Sequence, residues 1–316
     1  MALKIIVGDV TIGVQGEDFS YIFSAQTGGI ESLRREGKEW LYRTPKPTFW
    51  RAATDNDKGN GFAYKSAIWL AADAYVRCTA MEAWLDGEPV EIPFAPANNK
   101  YSNNVTCEKF TVKFTYETPT APKTKVEVIY EVVEQGRIHV QVHYFGNKEL
   151  PDLPVFGMRF LMPTPAERFC YEGLSGETYP DRMAGGEPGV YEIKGLPVTP
   201  YLVPQDCGMH MQTKWLEIYR SRVLDNIAKE QKETCLRFWS EENGTFAFAA
   251  LPYTALELEN ATHQEELPSE RRTVVTILGA VRGVGGIDSW GADVEPQHHI
   301  PADRDIWYSF WLGGKN

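Results

Sequence analysis

The chain has 316 residues, of which 43% are hydrophobic and 24% charged, a composition that excludes wholesale disorder and supports a large buried core. Its net charge of -11, without a lysine- or arginine-rich run, argues against nucleic acid and against an anionic membrane surface as partners. The five cysteines are scattered and never spaced as Cys-x-x-Cys. A disulfide framework or a structural zinc site is therefore not expected. We expect a cytoplasmic location instead.

Strands are predicted along most of the chain, because apolar residues alternate with polar ones at a period of two. The clearest runs cover residues 110–116, 126–132 and 138–144. The pair Gln135-Gly136 joins the second and third of these runs closely enough to predict a hairpin. Further segments rich in strand-forming residues follow at 246–250, 274–278 and 306–312.

One short helix is predicted over residues 64–78, where Ile68, Ala71, Ala72 and Tyr75 recur at helical spacing. Residues 217–231 are ambiguous, since the first part could be a strand and the second part helical. No linker rich in glycine, proline or serine divides the chain. We therefore expect an all-β protein in which residues 1–316 form one large antiparallel β-sandwich with long loops.

A glycine-rich loop at residues 283–291 carries Trp290, preceded by Asp288 and Ser289. Its glycines indicate a loop with unusual backbone angles and little side-chain bulk, so the indole is expected to be presented rather than packed. An exposed indole is a good platform for the apolar face of a sugar. We therefore predict these three residues as substrate-binding residues.

A second candidate segment runs from residue 49 to 61 and is rich in aspartate, asparagine and glycine. Its Asp-x-Asp pattern is similar to a calcium loop, but the position that should hold glutamate is Ser66, so no metal site is predicted. The favoured interpretation is a turn in which carboxylates accept backbone N–H groups and pair with Arg51. The residues expected to be structural or near an interface are Arg51, Asp55, Asn56 and Asp57, and those expected to form a mobile loop are Lys58, Gly59, Asn60 and Gly61.

The third candidate segment, residues 171–182, ends in Asp181-Arg182, which we expect to form a buried or interface ion pair. Its Gly-Leu-Ser-Gly sequence lacks the spacing of a serine-hydrolase elbow. The chain also shows no zinc-protease, P-loop or dinucleotide motif. No catalytic residue is therefore assigned to this chain.

Taken together, four separated motifs resemble the C-terminal β-sandwich of glycoside hydrolase family 2 β-galactosidases. They are Arg-Ala-Ala-Thr-Asp-Asn-Asp with Gly at 51–59, Gly-Leu-Ser-Gly-Glu-Thr-Tyr-Pro-Asp-Arg at 173–182, Tyr-x-x-Pro-Gln-x-x-Gly at 201–208, and the glycine-rich loop at 283–290. Their order and spacing agree with the family over nearly the whole chain. The family pattern has Arg-Ala-Pro where this chain has Arg-Ala-Ala.

The resemblance implies a galactose mutarotase-like supersandwich and the small subunit of a two-subunit β-galactosidase. Such a subunit is inactive alone, because a large partner carries the TIM barrel and both catalytic glutamates of a retaining hydrolase acting on terminal β-D-galactosides. Magnesium and sodium are expected on that large subunit and no cofactor on this chain. The resemblance also implies that the Trp290 loop reaches the active-site mouth. The start at Met1 and the end after the last strand favour a separate subunit, with a domain excised from a longer enzyme as the alternative.

A stand-alone carbohydrate-binding or mutarotase-like module is the alternative function, because the same sandwich occurs there. Mutarotation needs a general acid and a general base that face one sugar, typically a histidine with a carboxylate. The six histidines offer no obvious pair of this kind, although His210 and His263 stay open as candidates.

Overall fold

The computed structural model describes residues 2–92, 105–224 and 232–315. Within these ranges the chain is built from three antiparallel sheets and a few short helices. The strands are β1 (Leu3–Gly8), β2 (Thr11–Gln15), β3 (Phe19–Ser24), β4 (Gly29–Arg35), β5 (Lys38–Glu39), β6 (Arg43–Thr48), β7 (Arg77–Leu85), β8 (Glu88–Val90), β9 (Val105–Cys107), β10 (Phe110–Glu117), β11 (Lys125–Val132), β12 (Ile138–Tyr144), β13 (Val155–Met162), β14 (Arg168–Leu174), β15 (Pro188–Lys194), β16 (Met209–Thr213), β17 (Trp215–Arg220), β18 (Thr234–Trp239), β19 (Phe246–Leu251), β20 (Thr273–Val281) and β21 (Ile306–Gly313). The α-helices are α1 (Asp55–Gly59), α2 (Phe62–Lys65), α3 (Ile68–Tyr75) and α4 (Ala255–Asn260).

The largest sheet has ten strands in the order β15-β14-β17-β18-β21-β12-β11-β10-β7-β8. A six-stranded sheet has the order β5-β4-β3-β2-β1-β9, and a five-stranded sheet has the order β16-β19-β20-β13-β6. All strand pairs in these sheets are antiparallel, as the sequence predicts for strands with one buried face.

Both smaller sheets pack on the same face of the ten-stranded sheet. Phe23 of the six-stranded sheet lies 5.3 Å from Phe110 of the ten-stranded sheet, measured between ring centroids. Phe160 of the five-stranded sheet lies 5.2 Å from Phe238, which shares that face. The core therefore sits between two layers, and the predicted all-β sandwich is confirmed.

The predicted strands at 110–116, 126–132 and 138–144 are confirmed as β10, β11 and β12. Their buried residues alternate with partly exposed ones along each strand. The hairpin predicted at Gln135-Gly136 is also present, since a short 3-10 turn, Glu134–Gly136, joins β11 to β12. The later strand-forming segments fall within β19, β20 and β21.

The helix predicted within 64–78 is confirmed as α3, which is shorter than the predicted segment, but the described ranges hold four α-helices rather than one. The helical region begins at Asp55, breaks between α1, α2 and α3, and ends at Tyr75, before β7 starts at Arg77. A fourth helix, α4, follows Thr254. In α1 and α4 a threonine caps the N-terminus and a carboxylate three residues later bonds back to the cap, which closes the first turn without a long apolar face.

The ambiguous segment at 217–231 begins as a strand, because β17 extends to Arg220. The helix considered for its second half falls mostly on residues 225–231, which lie outside the described residues. Among the helices in the described ranges, none has the length and apolar character needed to cross a membrane.

Candidate functional site

The segment that leaves β20 forms an exposed loop with Trp290 at its tip. Gly285, Gly286 and Gly291 have φ angles of 68°, 78° and 85°, which lie in the left-handed region that favours glycine. The Trp290 side chain is 92% exposed, as the predicted lack of surrounding bulk implies. We call residues 283–294 the tryptophan loop.

Asp288 stabilises the tip of the tryptophan loop from within. Its Oδ1 atom accepts the backbone N–H groups of Trp290 at 2.9 Å and Ala292 at 3.1 Å. These hydrogen bonds lower the pKa of the Asp288 carboxyl. Ser289 is exposed beside it. The structure thus gives Asp288 a role in folding the turn, and contact of Asp288 or Ser289 with a substrate stays a prediction.

The start of the tryptophan loop is held by Asp181 and Arg182. The Asp181 carboxylate accepts the N–H group of Val284 at 2.9 Å and that of Gly285 at 2.7 Å. Arg182 donates to the Gly285 carbonyl oxygen. The direct contact between the two charged side chains is longer, with 3.9 Å between Arg182 Nη1 and Asp181 Oδ2. The predicted ion pair is therefore weak, and the stronger contacts of both residues are with the loop backbone.

A buried network of charges lies beneath the tryptophan loop. The Asp57 carboxylate pairs with Arg51 at 3.0 Å and with Arg282 at 3.1 Å, and all three side chains are at most 3% exposed. Arg51 also donates to the carbonyl oxygen of Gly283 at 3.1 Å, and Arg282 pairs with Asp293 near the end of the loop. The pairing of Asp57 with Arg51, predicted from the sequence, is confirmed.

Helix α1 packs directly against the tryptophan loop. Asn56 Nδ2 donates to the Val284 carbonyl oxygen at 2.8 Å, and Asn60 Nδ2 donates to Asp293 at 3.2 Å. A Cβ atom on Gly291 would lie 2.9 Å from the Gly59 carbonyl oxygen, so the two backbones approach closely. The two segments are thus one packed unit.

The segment predicted as a mobile loop is a junction between two helices. Lys58 and Gly59 end α1, Asn60 caps its C-terminus, and Gly61 precedes α2 with a φ angle of 77°. The prediction that this segment is an irregular loop is therefore wrong, because Thr54 caps a helix that includes Lys58 and Gly59. The predicted motion of this segment stays a prediction.

A third motif joins the site through Gln205. Its Oε1 atom accepts the backbone N–H of Asp55 at 2.7 Å, while the Asp55 residue is exposed at the start of α1. The four motifs identified in the sequence therefore meet around α1. The contact between Arg51 and Gly283, for example, joins residues that are 232 positions apart.

One buried acid was missed by the sequence analysis. Asp206 accepts a hydrogen bond from the Tyr179 hydroxyl at 2.9 Å, and burial raises the pKa of its carboxyl to about 6. It borders a cavity of about 30 Å³, which has room for a water but not for a sugar ring. Asp206 lies inside the motif at 201–208. That motif marked the segment as part of the site, but Asp206 is one of its unspecified positions.

Four histidine–carboxylate pairs were also missed, and in three of them the members are more than 100 residues apart in the sequence. They are His139–Glu241, His143–Asp305, His299–Asp152 and His263–Glu266. The last includes a residue considered for mutarotation, but both of its side chains are largely solvated. His210 is buried against Tyr171 and Phe248, and burial lowers its pKa to about 4. Neither histidine faces an acid across a sugar-sized cavity among the described residues.

In the part of the chain that the structure describes, no group of three or more histidine, cysteine, aspartate or glutamate side chains is placed to hold a metal ion. Residues 15–312 match the family described as beta galactosidase small chain. The chain belongs to this family.

Curated relatives fall into two groups by length. A β-galactosidase small subunit from Latilactobacillus sakei is 60% identical over 308 residues, which cover 98% of this chain and 96% of the relative. A β-galactosidase from Halalkalibacterium halodurans is 34% identical over 98% of this chain, but the match covers only 28% of that protein. A β-galactosidase from Streptococcus thermophilus is 31% identical, with 98% and 27% covered. The chain thus spans just over a quarter of the length of these longer relatives.

A galactose mutarotase-like protein from Lactobacillus casei is similar in structure, with a TM-score of 0.43 and 9% identity over 96% of this chain and 99% of that chain. A likeness of this size carries no statement about activity.

Proposed function

We propose that this chain is the small subunit of a two-subunit β-galactosidase, and that it supplies the tryptophan loop to an active site whose catalytic glutamates lie on a large partner. The observation that carries this proposal is the tryptophan loop itself. It is held at its start by the buried Arg51 and at its end by the buried Arg282, yet it leaves the indole of Trp290 exposed. A flat, exposed and preorganised indole is suited to stack on a sugar ring.

The carboxylates around the tryptophan loop already have partners within this chain. Asp57 and Asp293 are paired with arginines, and Asp181 and Asp288 are bonded to backbone N–H groups. A retaining glycosidase needs one carboxyl group that stays protonated and a second about 5 Å away. These four carboxylates are engaged with arginines or with backbone N–H groups, and we propose that the acid and the nucleophile are supplied by the partner.

The longer relatives support a large partner. This chain matches only 26% to 28% of the β-galactosidases from Halalkalibacterium halodurans, Streptococcus thermophilus and Bifidobacterium adolescentis. We infer that the remaining part of such an enzyme, with the TIM barrel, is the partner of this chain. Magnesium and sodium are expected to bind to that partner, and the complex is expected to be cytoplasmic.

An exposed apolar surface around α1 is the proposed contact with this partner. Tyr64 and Leu202 are 85% and 84% exposed, and Ile287 and Trp290 of the tryptophan loop are also exposed. Tyr64 follows α1 in the chain, and the segment with Leu202 reaches α1 through Gln205. Large apolar side chains that are exposed together mark an interaction surface more often than a free surface.

The test is to purify the chain alone and after co-expression with the product of the neighbouring reading frame. We expect co-elution in size-exclusion chromatography, and hydrolysis of a chromogenic galactoside only by the complex. Leu202→Ser should weaken co-elution, whereas Val190→Ser, which removes an apolar side chain that is 65% exposed on the edge strand β15, should not. Robust hydrolysis by the chain alone would contradict the proposal that it is a non-autonomous subunit.

The same purified chain tests the alternative of a stand-alone sugar module. Such a module would bind galactose or accelerate its mutarotation without a partner. His210→Phe and His263→Gln address the two histidines considered for that chemistry. Since one is buried and the other lies on a solvated turn, we expect no mutarotation to be lost in either variant.

A further inference from the structure

We infer that Asp181 is a positioning residue for Trp290. The inference rests on the proposed function for its kinetic consequence, but the contacts that carry it belong to this chain alone. Asp181 lies outside the tryptophan loop, in the segment after β14, and its side chain is 9% exposed. It contacts no part of the proposed sugar platform, so any effect on a substrate has to pass through the loop.

Both oxygen atoms of Asp181 are directed at the first turn of the tryptophan loop. Oδ1 accepts the N–H of Val284 at 2.9 Å, and Oδ2 accepts the N–H of Gly285 at 2.7 Å while also lying 3.1 Å from the Val284 nitrogen. A carboxylate that accepts two adjacent N–H groups forms charge-assisted bonds, which are stronger and more directional than neutral ones. Asp181 therefore fixes the orientation of two successive peptide units.

The adjacent residue, Arg182, holds the next peptide unit, which joins Gly285 to Gly286. Its guanidinium donates to the Gly285 carbonyl oxygen. Gly285 is thus held at its N–H group by Asp181 and at its C=O group by Arg182. This double contact matters because Gly285 and Gly286 both have positive φ angles, and glycine leaves the backbone several alternative directions at these positions.

The close approach between Asp181 and the loop also has a steric requirement. A Cβ atom at position 283 would lie 2.8 Å from the Asp181 carboxyl carbon, so the backbone reaches the carboxylate only because residue 283 is glycine. The far end of the loop is held separately, by the pairing of Asp293 with Arg282. With both ends fixed, the direction set at residues 284 and 285 determines where the indole stands.

The kinetic test is a double-mutant cycle between Asp181→Asn and Trp290→Ala in the reconstituted complex. The amide of Asn keeps one acceptor and replaces the other with an N–H donor that faces the Gly285 N–H. We expect Asp181→Asn to raise the KM for a chromogenic galactoside roughly tenfold, with kcat changed little. In the Trp290→Ala background the same change should have almost no further effect, since the group being positioned is gone.

Asp86→Asn is the matched control, because the Asp86 carboxylate also accepts two adjacent backbone N–H groups, those of Glu108 and Lys109, in another part of the fold. It should leave KM unchanged. If Asp181→Asn does not fold, Arg182→Ala acts on the next peptide unit, through the Gly285 carbonyl, from a side chain that is 42% exposed and should show the same non-additivity. A KM effect that is additive with Trp290→Ala overturns the inference.

A measurement on the chain alone separates this inference from the proposed function. Hydrogen exchange should be faster at the amides of Val284 and Gly285 in Asp181→Asn than in the wild type, and unchanged there in Asp86→Asn. If Trp290→Ala has wild-type kinetics, the proposed function is wrong, whereas the exchange result still reports on Asp181. Unchanged exchange at both amides would overturn the positioning role even if Trp290 proves essential.

Discussion

The Arg51 guanidinium lies 3.0 Å from the Asp57 carboxylate, with both side chains almost completely buried. The other oxygen atom of this carboxylate lies 3.1 Å from Arg282, which is fully buried. Two arginines that have no access to water thus share this carboxylate, and Arg282 also pairs with Asp293. A buried ion pair of this kind is costly to assemble, and removal of one partner leaves an uncompensated charge in the core.

Asp57→Ala is therefore expected to lower the free energy of unfolding by about 3 to 5 kcal/mol. The variant also removes the bond from Asp57 to the Thr54 N–H that caps α1. Urea unfolding of the chain, followed by circular dichroism, measures the change. Glu82→Gln, which breaks the exposed pair with Lys113 at 2.6 Å, should cost at most about 1 kcal/mol. Equal losses in both variants would contradict a special role for the buried network.

The tryptophan loop offers a test of close packing against α1. Gly286 has a φ angle of 78°, and a Cβ atom there would lie 2.8 Å from Asn56 Nδ2. Gly37 has a similar φ angle of 74°, but a Cβ atom there would meet nothing within 4 Å. Both alanine variants should lose about 1 kcal/mol of stability from backbone strain. Only Gly286→Ala should also break the bond from Asn56 to Val284 and reduce galactoside hydrolysis by the complex.

The kinetics of the two glycine variants show whether reduced hydrolysis comes from backbone strain or from the lost contact between α1 and the tryptophan loop. If Gly37→Ala lowers hydrolysis as much as Gly286→Ala, the effect is one of general stability. If neither variant changes hydrolysis while both fold, the contact between α1 and the tryptophan loop does not matter for the complex.

The buried histidine His210 predicts how stability depends on pH. Burial among aromatic rings lowers its pKa from 6.5 to about 4, and a bond to the Gly176 carbonyl opposes this shift. Between these two pKa values the unfolded chain binds a proton at His210 and the folded chain does not. The free energy of unfolding is therefore unaffected by this group above pH 6.5 and decreases as the pH falls from 6.5 toward 4. Between about pH 7.5 and about pH 5 this group should account for a loss of about 2 kcal/mol.

His210→Phe isolates this contribution, because a phenyl ring can keep the stacking on Phe248, now 4.7 Å between centroids. Urea unfolding at the two pH values should show a smaller loss in the variant than in the wild type. Asp206, whose raised pKa of about 6 acts in the opposite direction, is present in both proteins and cancels in the comparison. Identical pH dependence in the two proteins would show that His210 is not buried as the structure has it.

The sandwich could be predicted from the sequence because strands with one buried face reveal themselves in local alternation. Residues 110–116 of β10 show this most clearly, with four buried apolar residues between polar ones. Helices α1 and α2 were missed because they are only five and four residues long, too short to show helical periodicity. The capping pattern Thr54-x-x-Asp57 was the available signal, and Thr254-x-x-Glu257 was the same signal for α4.

The site was predictable as a set of segments but not as a set of contacts. Trp290 was identified from its flanking glycines, which are local. The bonds from Asp181 to Val284 and from Arg282 to Asp57 join residues 103 and 225 positions apart, and no local pattern reports them. Arg282 itself, although fully buried, follows an ordinary strand and carried no signal.

The last prediction concerns the indole on which the proposed function depends. Trp290 is 92% exposed, so its removal should cost the isolated chain almost no stability. In the complex the ring would be covered by a sugar. An aromatic contact contributes about 0.5 to 1.5 kcal/mol beyond the buried area, and the area itself brings the total to about 2 to 3 kcal/mol. Trp290→Ala should therefore weaken substrate or acceptor binding roughly ten- to a hundredfold.

Trp290→Phe should lose less, because a phenyl ring keeps part of the stacking surface. The measurement is steady-state kinetics of the reconstituted complex with lactose, with assembly checked by chromatography for each variant. Tyr64→Ser provides the contrast, since it removes an 85% exposed aromatic ring that we place in the partner contact, and it should weaken assembly first. If Trp290→Ala assembles normally and hydrolyses lactose with wild-type parameters, the indole does not contact the sugar and the assignment of the tryptophan loop to the active site is wrong.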